Sequence, residues 1–149
     1  MLFALGINDV ISAVPDGVHC SLYADDILLY LSGKRLPFLE RQMQVAINSV
    51  SEWTQSHGFR FSVPKTTSVL FHRGGGGDGS DLVPSLSLYG SPVKTASQVK
   101  FLGITFDCKL TYAPHIKSLK TSCRRPLDIL HHLSHKTWGA DRKTLLRLL

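Results

Sequence analysis

The chain has 149 residues, 43% of them hydrophobic and 19% charged, enough for a single core and too apolar for a disordered segment. Seventeen Lys and Arg against eleven Asp and Glu give a formal net charge of +6 and a pI near 9.4, a balance compatible with a polyanionic partner without requiring one. No apolar run approaches the ~20 residues of a membrane-spanning helix. Met1-Leu2-Phe3-Ala4-Leu5 lacks the basic region and cleavage site of a secretory signal, so the expected setting is intracellular, in nucleus or cytoplasm, with no membrane partner.

Leu2, Phe3, Leu5, Ile7, Val10 and Ile11 predict the end of a buried helix over 2–14, stopped by the turn signal Pro15-Asp16-Gly17. Val18, Cys20, Leu22 and Ala24 then alternate with His19, Ser21, Tyr23 and Asp25, the pattern of a half-buried strand. Ile27-Leu28-Leu29-Tyr30-Leu31 is continuously apolar and suits a strand buried on both faces. The pair reads as a β-hairpin over 18–31 whose tip holds Asp25 and Asp26, Asp25 in phase with Tyr23 and Asp26 on the turn.

Pro37 opens the next element, and Leu39, Met43, Ala46, Ile47, Val50 and Trp53 follow at helical steps. They predict an amphipathic helix over 37–57, capped by Gly58. Phe59 to Phe61 and Thr67 to Phe71 are short strand candidates. Gly74 to Asp81 lacks the Lys-Ser/Thr of a phosphate-binding loop and reads as a flexible connection. Leu86–Tyr89 and Pro92–Lys94 predict a small hairpin around Gly90-Ser91, and Val99–Phe106 a further strand. Pro114 opens a helix to about Leu133, with Ile116, Leu119, Cys123, Leu127 and Leu130 on one face. Pro126 lies inside it at a cost of about 3 kcal/mol, which predicts a kink. Asp141 is an N-cap for a last helix. The order is α+β, with a helical tail. Neither end carries a polar fringe, so both read as cut.

Cys20, Cys108 and Cys123 have no paired spacing and read as reduced, mostly buried thiols. Cys123, His131 and His135 form a helical set in which the two histidines are four residues apart, but no second nearby cysteine completes a zinc site.

Two adjacent aspartates at a hairpin tip have a chemical use. Nucleotidyl transfer employs two divalent ions about 3.5–4 Å apart, and Mg²⁺ takes hard oxygen ligands while keeping several waters. A tight turn presents carboxylates rigidly without burying them. Asp-Asp in a turn is also ordinary turn chemistry; the aromatic residue before it, the alternating strand and the apolar strand after it are what favour a functional reading.

With those residues in view, the chain resembles the reverse transcriptases of non-LTR (LINE-like) retrotransposons. Ser21-Leu22-Tyr23-Ala24-Asp25-Asp26 is similar to their catalytic Tyr-x-Asp-Asp motif. Leu2 to Asp9 is similar to the segment that ends in Phe-x-x-Tyr-Ile-Asn-Asp, with Gly6 in place of the usual aromatic residue. Trp53 to Thr66 resembles the next palm motif, Val99 to Asp107 the primer grip, and Trp138-Gly139-Ala140-Asp141-Arg142 the start of the thumb. The resemblance implies an incomplete polymerase palm over 1–111, with the catalytic hairpin at 18–31, the helix at 37–57 and primer-grip-like strands at 86–106. A helical thumb would start over 112–149.

The resemblance also implies roles. Asp25 and Asp26 would bind Mg²⁺, two ions in the parent enzyme, and Tyr23 would lie against the primer end or incoming nucleotide. Lys65 would donate a proton to pyrophosphate, a sensible task for a cation beside developing negative charge. Phe101, Leu102 and Gly103 would grip the primer, and Lys117, Lys120, Arg124 and Arg125 would touch the nucleic-acid backbone. The partners so implied are RNA template, DNA primer and dNTPs. The family's third metal-binding aspartate is expected upstream of Met1, so little or no polymerase activity is expected from these residues alone, where a non-catalytic nucleic-acid-binding relic is the rival reading.

Overall fold

A computed structural model describes residues 6–72, 83–134, 139 and 143–144. They form a mixed α and β structure that divides into two compact units, Met1–Ser97 and Gln98–Leu149. Strands among the described residues pair two by two rather than in one broad sheet. The glycine-rich segment 74–81, the first residues of the 2–14 helix and the thumb-like segment around Asp141 lie outside the described residues, Gly139 apart.

In the first unit, residues 6–8 are helical and run into a 3-10 turn, Asp9–Ala13, that buries Val10. Strands β1 (His19–Tyr23) and β2 (Asp26–Tyr30) are antiparallel, registered His19 with Tyr30, Cys20 with Leu29, Ser21 with Leu28, Leu22 with Ile27 and Tyr23 with Asp26. Alternation decides what each face does. Leu22, Ile27 and Leu29 pack on the core of Ile7, Val10 and Val50, whereas Leu28 and Tyr30 are exposed. The expectation of a strand buried on both faces is thereby corrected: a two-stranded ribbon resting on one layer has only one face to cover.

Helix α1 (Leu36–Ser56) begins with Pro37 in its first turn and buries Ala46, Val50, Ser51 and Thr54. Its C-terminus is a Schellman motif: Phe59 N–H donates to Thr54 O at 2.7 Å, Gly58 N–H to Gln55 O at 3.2 Å, and Gly58 takes φ +75°. Trp53 stacks on His57 at 4.1 Å and on Phe59 at 6.4 Å. Phe59–Phe61 is not a strand; the segment is held by this cap and by Tyr89 instead. The Tyr89 hydroxyl accepts the Phe61 N–H at 3.2 Å and donates to Thr54 Oγ1 at 3.4 Å, because the Thr54 proton is already given to Ser51 O. The Arg60 guanidinium lies 5.1 Å from the Tyr89 ring centroid.

A second core of Leu86, Leu88 and Val93 packs on Met43, Ile47, Phe61 and Val63. Here β4 (Ser87–Leu88) and β5 (Ser91–Pro92) form the expected small hairpin, but its turn is Tyr89-Gly90, both at positive φ. Strand β3 (Thr67–Ser68) pairs in parallel with β6 (Lys94–Thr95). Ser87 faces Pro92 in a non-hydrogen-bonded pair, next to the bond from Val93 N–H to Leu86 O at 2.8 Å, so the N–H and carbonyl of Ser87 point away from β5. The Gln44 side chain serves Ser87 from the other edge, accepting its N–H at 2.8 Å and donating to its carbonyl at 2.9 Å.

In the second unit, Val99–Phe106 is two strands rather than one, β7 (Gln98–Phe101) and β8 (Ile104–Asp107), closed by Leu102 and Gly103. Helix α2 (Ala113–Leu133) runs through Pro126 without interruption and has no buried residue. Its start is tied to β8 by Asp107, which accepts Tyr112 N–H at 2.8 Å, Thr111 N–H at 3.2 Å and the Thr111 hydroxyl at 3.0 Å. Burial opposes ionisation of Asp107, but these donors outweigh it and hold its carboxyl below the usual range.

The three cysteines are free, as expected, yet not mostly buried: Cys20 and Cys108 are half-buried and Cys123 is exposed. Burial pushes the Cys20 thiol pKa up. No helix among the described residues is long and apolar enough to cross a membrane.

Candidate active site

The site is built on the β1–β2 turn. Tyr23 and Asp26 close the ladder as cross-strand partners, leaving Ala24 and Asp25 as the two turn residues. This reverses the expected placing of the carboxylates: Asp25 is on the turn, and Asp26, not Asp25, shares a face with Tyr23. The physical reason is the register, which ends the alternation at Tyr23 rather than Asp25. Ala24 takes φ +53°, the sign that two-residue hairpin turns require at their first position so that the turn follows the strand twist.

Both aspartates are exposed, and Tyr23 is 63% exposed. Among the described residues neither carboxylate has a hydrogen-bond or ion-pair partner. The tip therefore offers two adjacent, unshared, hydrated anionic groups on a backbone fixed by the ladder and by the core beneath it. Hard oxygen donors of this kind suit Mg²⁺. Two carboxylates do not make a full set, and among the described residues no group of three or more His, Cys, Asp or Glu is placed to hold a metal ion.

Lower on the outward face, His19 and Tyr30 stack across the strands at 5.1 Å between ring centroids. This aromatic pair braces the open end of the hairpin. Neither ring was expected to matter; the signal was their position at equal distance from the turn, legible only once the register is known.

The remaining expected residues are carried by other elements. Lys65 is exposed and ends a separate 3-10 turn, Val63–Lys65. Phe101, Leu102 and Gly103 form the tip of the β7–β8 hairpin in the second unit, with Leu102 at φ +46° and Gly103 at φ +86°. Both signs are those of a type I′ turn. Lys117, Lys120, Arg124 and Arg125 are exposed on α2 in that same unit. A shallow polar hollow of about 190 Å³, lined by Asn48, Glu52, Gln55 and Tyr89 among others, includes none of the residues of the β1–β2 hairpin.

The family model described as reverse transcriptase (RNA-dependent DNA polymerase) matches residues 1–106, from before the β1–β2 hairpin into β8. The chain belongs to the reverse transcriptase family. Among the relatives of this reverse transcriptase chain, a protein named as a probable RNA-directed DNA polymerase from transposon BS of Drosophila melanogaster is 28% identical over 136 residues, covering 91% of the chain and 14% of the relative. The RNA-directed DNA polymerase from mobile element jockey of the same organism is 27% identical over 109 residues, covering 73% of the chain and 11% of the relative. A retrovirus-related Pol polyprotein from the type-1 retrotransposable element R1 of Nasonia vitripennis is 24% identical over 140 residues, covering 93% of the chain and 41% of the relative. The chain thus spans less than half the length of each of these relatives. No solved structure gives a significant match.

Proposed function

We propose that the chain is the part of a retrotransposon RNA-directed DNA polymerase that presents two of its metal-binding carboxylates, Asp25 and Asp26. The observation that carries this reading is the pair of adjacent, exposed carboxylates, unpartnered among the described residues, at the tip of a two-residue-turn hairpin inside the region that the family model matches. Bound Mg²⁺ would supply the Lewis acidity that activates a primer hydroxyl and steadies a leaving pyrophosphate. Asp25 and Asp26 would hold and orient that charge, with water completing the coordination. Tyr23, across the ladder from Asp26, would lie against the primer end or the incoming nucleotide. Lys65 would donate a proton to pyrophosphate, Phe101 to Gly103 would brace the primer strand, and Lys117, Lys120, Arg124 and Arg125 would meet phosphates. In this reading residues 1–111 are palm and 112–149 open a thumb, working on RNA template, DNA primer and dNTPs.

Two carboxylates are fewer than the chemistry uses, so the 149-residue chain alone is expected to extend a primer little or not at all. The decisive assay is primer extension with Mg²⁺, run on this chain and on a longer protein that carries the preceding family motifs. Asp25→Asn or Asp26→Asn in the longer protein is expected to cost at least about a thousandfold in kcat, with folding unchanged by circular dichroism. Full activity of either variant would overturn the assignment. The rival reading, a nucleic-acid-binding relic, is favoured by the exposed cations of α2, which need no metal; it predicts binding to primer–template that EDTA leaves unchanged and that weakens with salt.

A further inference from the structure

The outer face of α1 carries a patch that the metal-site reading does not use. Lys34, Arg35, Arg41 and Val45 are exposed there, and Phe38 is 59% exposed. At about 100° per residue, Phe38, Arg41 and Val45 fall within an arc of about 60°. Met43, Ile47 and Val50, which pack on the two cores, lie on the opposite side of the helix. Lys34 and Arg35 stand one turn before the exposed face, since the Arg35 carbonyl accepts the Leu39 N–H at 3.2 Å.

Charge on this face is uncompensated. Between Asp26 and Glu52 the only acidic residue is Glu40, and its carboxylate is engaged on another side of the helix, accepting the Ser85 N–H at 2.8 Å. Among the described residues the side chains of Lys34, Arg35 and Arg41 have no ion-pair or hydrogen-bond partner, and no ring stacks on Phe38. Another segment of polypeptide laid over the patch would strand three cations unless it brought acids of its own. A nucleic-acid strand brings one negative charge per nucleotide and releases counterions when cations neutralise it. The exposed ring among the cations narrows the partner further. Unpaired bases stack on aromatic side chains while the backbone follows positive charge, whereas a duplex keeps its base faces covered.

We propose that this face of α1 is a docking surface for single-stranded nucleic acid, separate from the metal site. Lys34, Arg35 and Arg41 meet phosphates, and Phe38 stacks on an unpaired base. Contacts of this kind hold and position a strand without reading its sequence. The chain belongs to a family of RNA-dependent DNA polymerases, for which a single strand is an available partner. The proposal needs neither Asp25 and Asp26 nor a metal ion, and it concerns a different element from the cations of α2.

Fluorescence anisotropy of the full chain in EDTA tests it, with labelled strands of about 12 nucleotides at salt from about 50 to 200 mM. Single-stranded RNA, single-stranded DNA and a duplex of equal length are compared, and the tighter of the two single strands identifies the ligand. Arg35→Gln with Arg41→Gln is expected to weaken single-strand binding at least about tenfold and to flatten the salt slope by about 1.4, two phosphate contacts' worth. Phe38→Ala is expected to weaken it about fivefold or more and to leave duplex binding unchanged. Arg124→Gln with Arg125→Gln reports the α2 surface separately, so a loss there with none at α1 sinks this proposal and spares the α2 reading. All five side chains are exposed, and circular dichroism matching the parent chain excludes unfolding as the cause. Single-strand binding indifferent to the α1 arginines overturns the proposal, as does a Phe38→Ala loss equal on the duplex, or no binding by the parent chain at low salt.

Discussion

Gln44 makes a demand on the fold whose size can be worked out. Its amide group binds both the N–H and the carbonyl of Ser87, at 2.8 and 2.9 Å, and donates as well to Asn48 Oδ1 at 2.8 Å. Gln44→Ala removes both links to β4. Each is worth about 1 kcal/mol net, and the half-buried Ser87 groups are then only partly rehydrated. Alanine returns about 0.4 kcal/mol of helix propensity. The expected loss is therefore about 2 kcal/mol in urea unfolding, or roughly 8–16 °C in Tm for a unit of this size. Gln44→Glu keeps an acceptor for the N–H but sets a carboxylate against the Ser87 carbonyl, so it is expected to fall near 1–2 kcal/mol. Amide hydrogen exchange gives the local readout: the Ser87 N–H is expected to lose protection in Gln44→Ala and keep most of it in Gln44→Glu. A Gln44→Ala variant within about 0.5 kcal/mol of the parent and unchanged exchange at Ser87 would refute the idea that a side chain acts there as the missing strand.

The turns yield two further tests. At Ala24, φ +53° costs about 1–2 kcal/mol for a residue with a Cβ, while glycine costs about 0.5–1 kcal/mol in chain entropy; Ala24→Gly is expected to be neutral to slightly stabilising by thermal melting, and Ala24→Val, β-branched, destabilising by at least about 1 kcal/mol. Gly103→Ala is expected to cost about 1 kcal/mol through backbone strain alone, because at φ +86° an added Cβ meets nothing within 4 Å; a larger loss in urea unfolding would mean that packing at this turn is tighter than described. Asp107 sets a pH dependence: its folded pKa is lowered, so its contribution is full above the unfolded carboxylate value of about 3.9 and is lost as pH falls through the folded value. The stability gap between the parent chain and Asp107→Asn is expected to be constant near neutral pH and to close in acid, and a gap that persists in acid would show that ionisation is not what anchors the helix.

Much of this was legible in the sequence, for physical reasons that also mark where legibility ended. Pro37, the helical steps from Leu39 to Trp53 and Gly58 define α1 because capping and periodicity are local properties. The hairpin was visible because strand alternation is local as well. What failed was register and partner count. A continuous apolar run reads the same whether one face is covered or two, so Leu28 and Tyr30 were expected inside. The alternation carries no mark of where pairing stops, so Asp25 and Asp26 exchanged positions. Val99–Phe106 hid its reversal because Leu102 is a poor turn residue, made tolerable by the Gly103 that follows. Gln44 and Tyr89 act on segments distant in sequence, and nothing in their neighbourhoods announces it. At the candidate site, the carboxylate pair and its aromatic neighbour stood out through their hairpin setting and the motifs that follow, whereas the His19–Tyr30 brace needed the register.

The β1–β2 ladder has one more consequence, in what kinds of change the site can survive. Because Tyr23 and Asp26 share a face opposite to that of Leu22 and Ile27, the direction of the acidic tip is a matter of parity. Substituting a buried residue of the ribbon alters stability and leaves the parity intact. Inserting or deleting a single residue between Val18 and Tyr23 would turn Leu22 toward water and Tyr23 toward the core. The ribbon is thus tolerant of wear in its letters and intolerant of any change in their count, and a frame-preserving single-residue deletion there would abolish the site more surely than most point mutations.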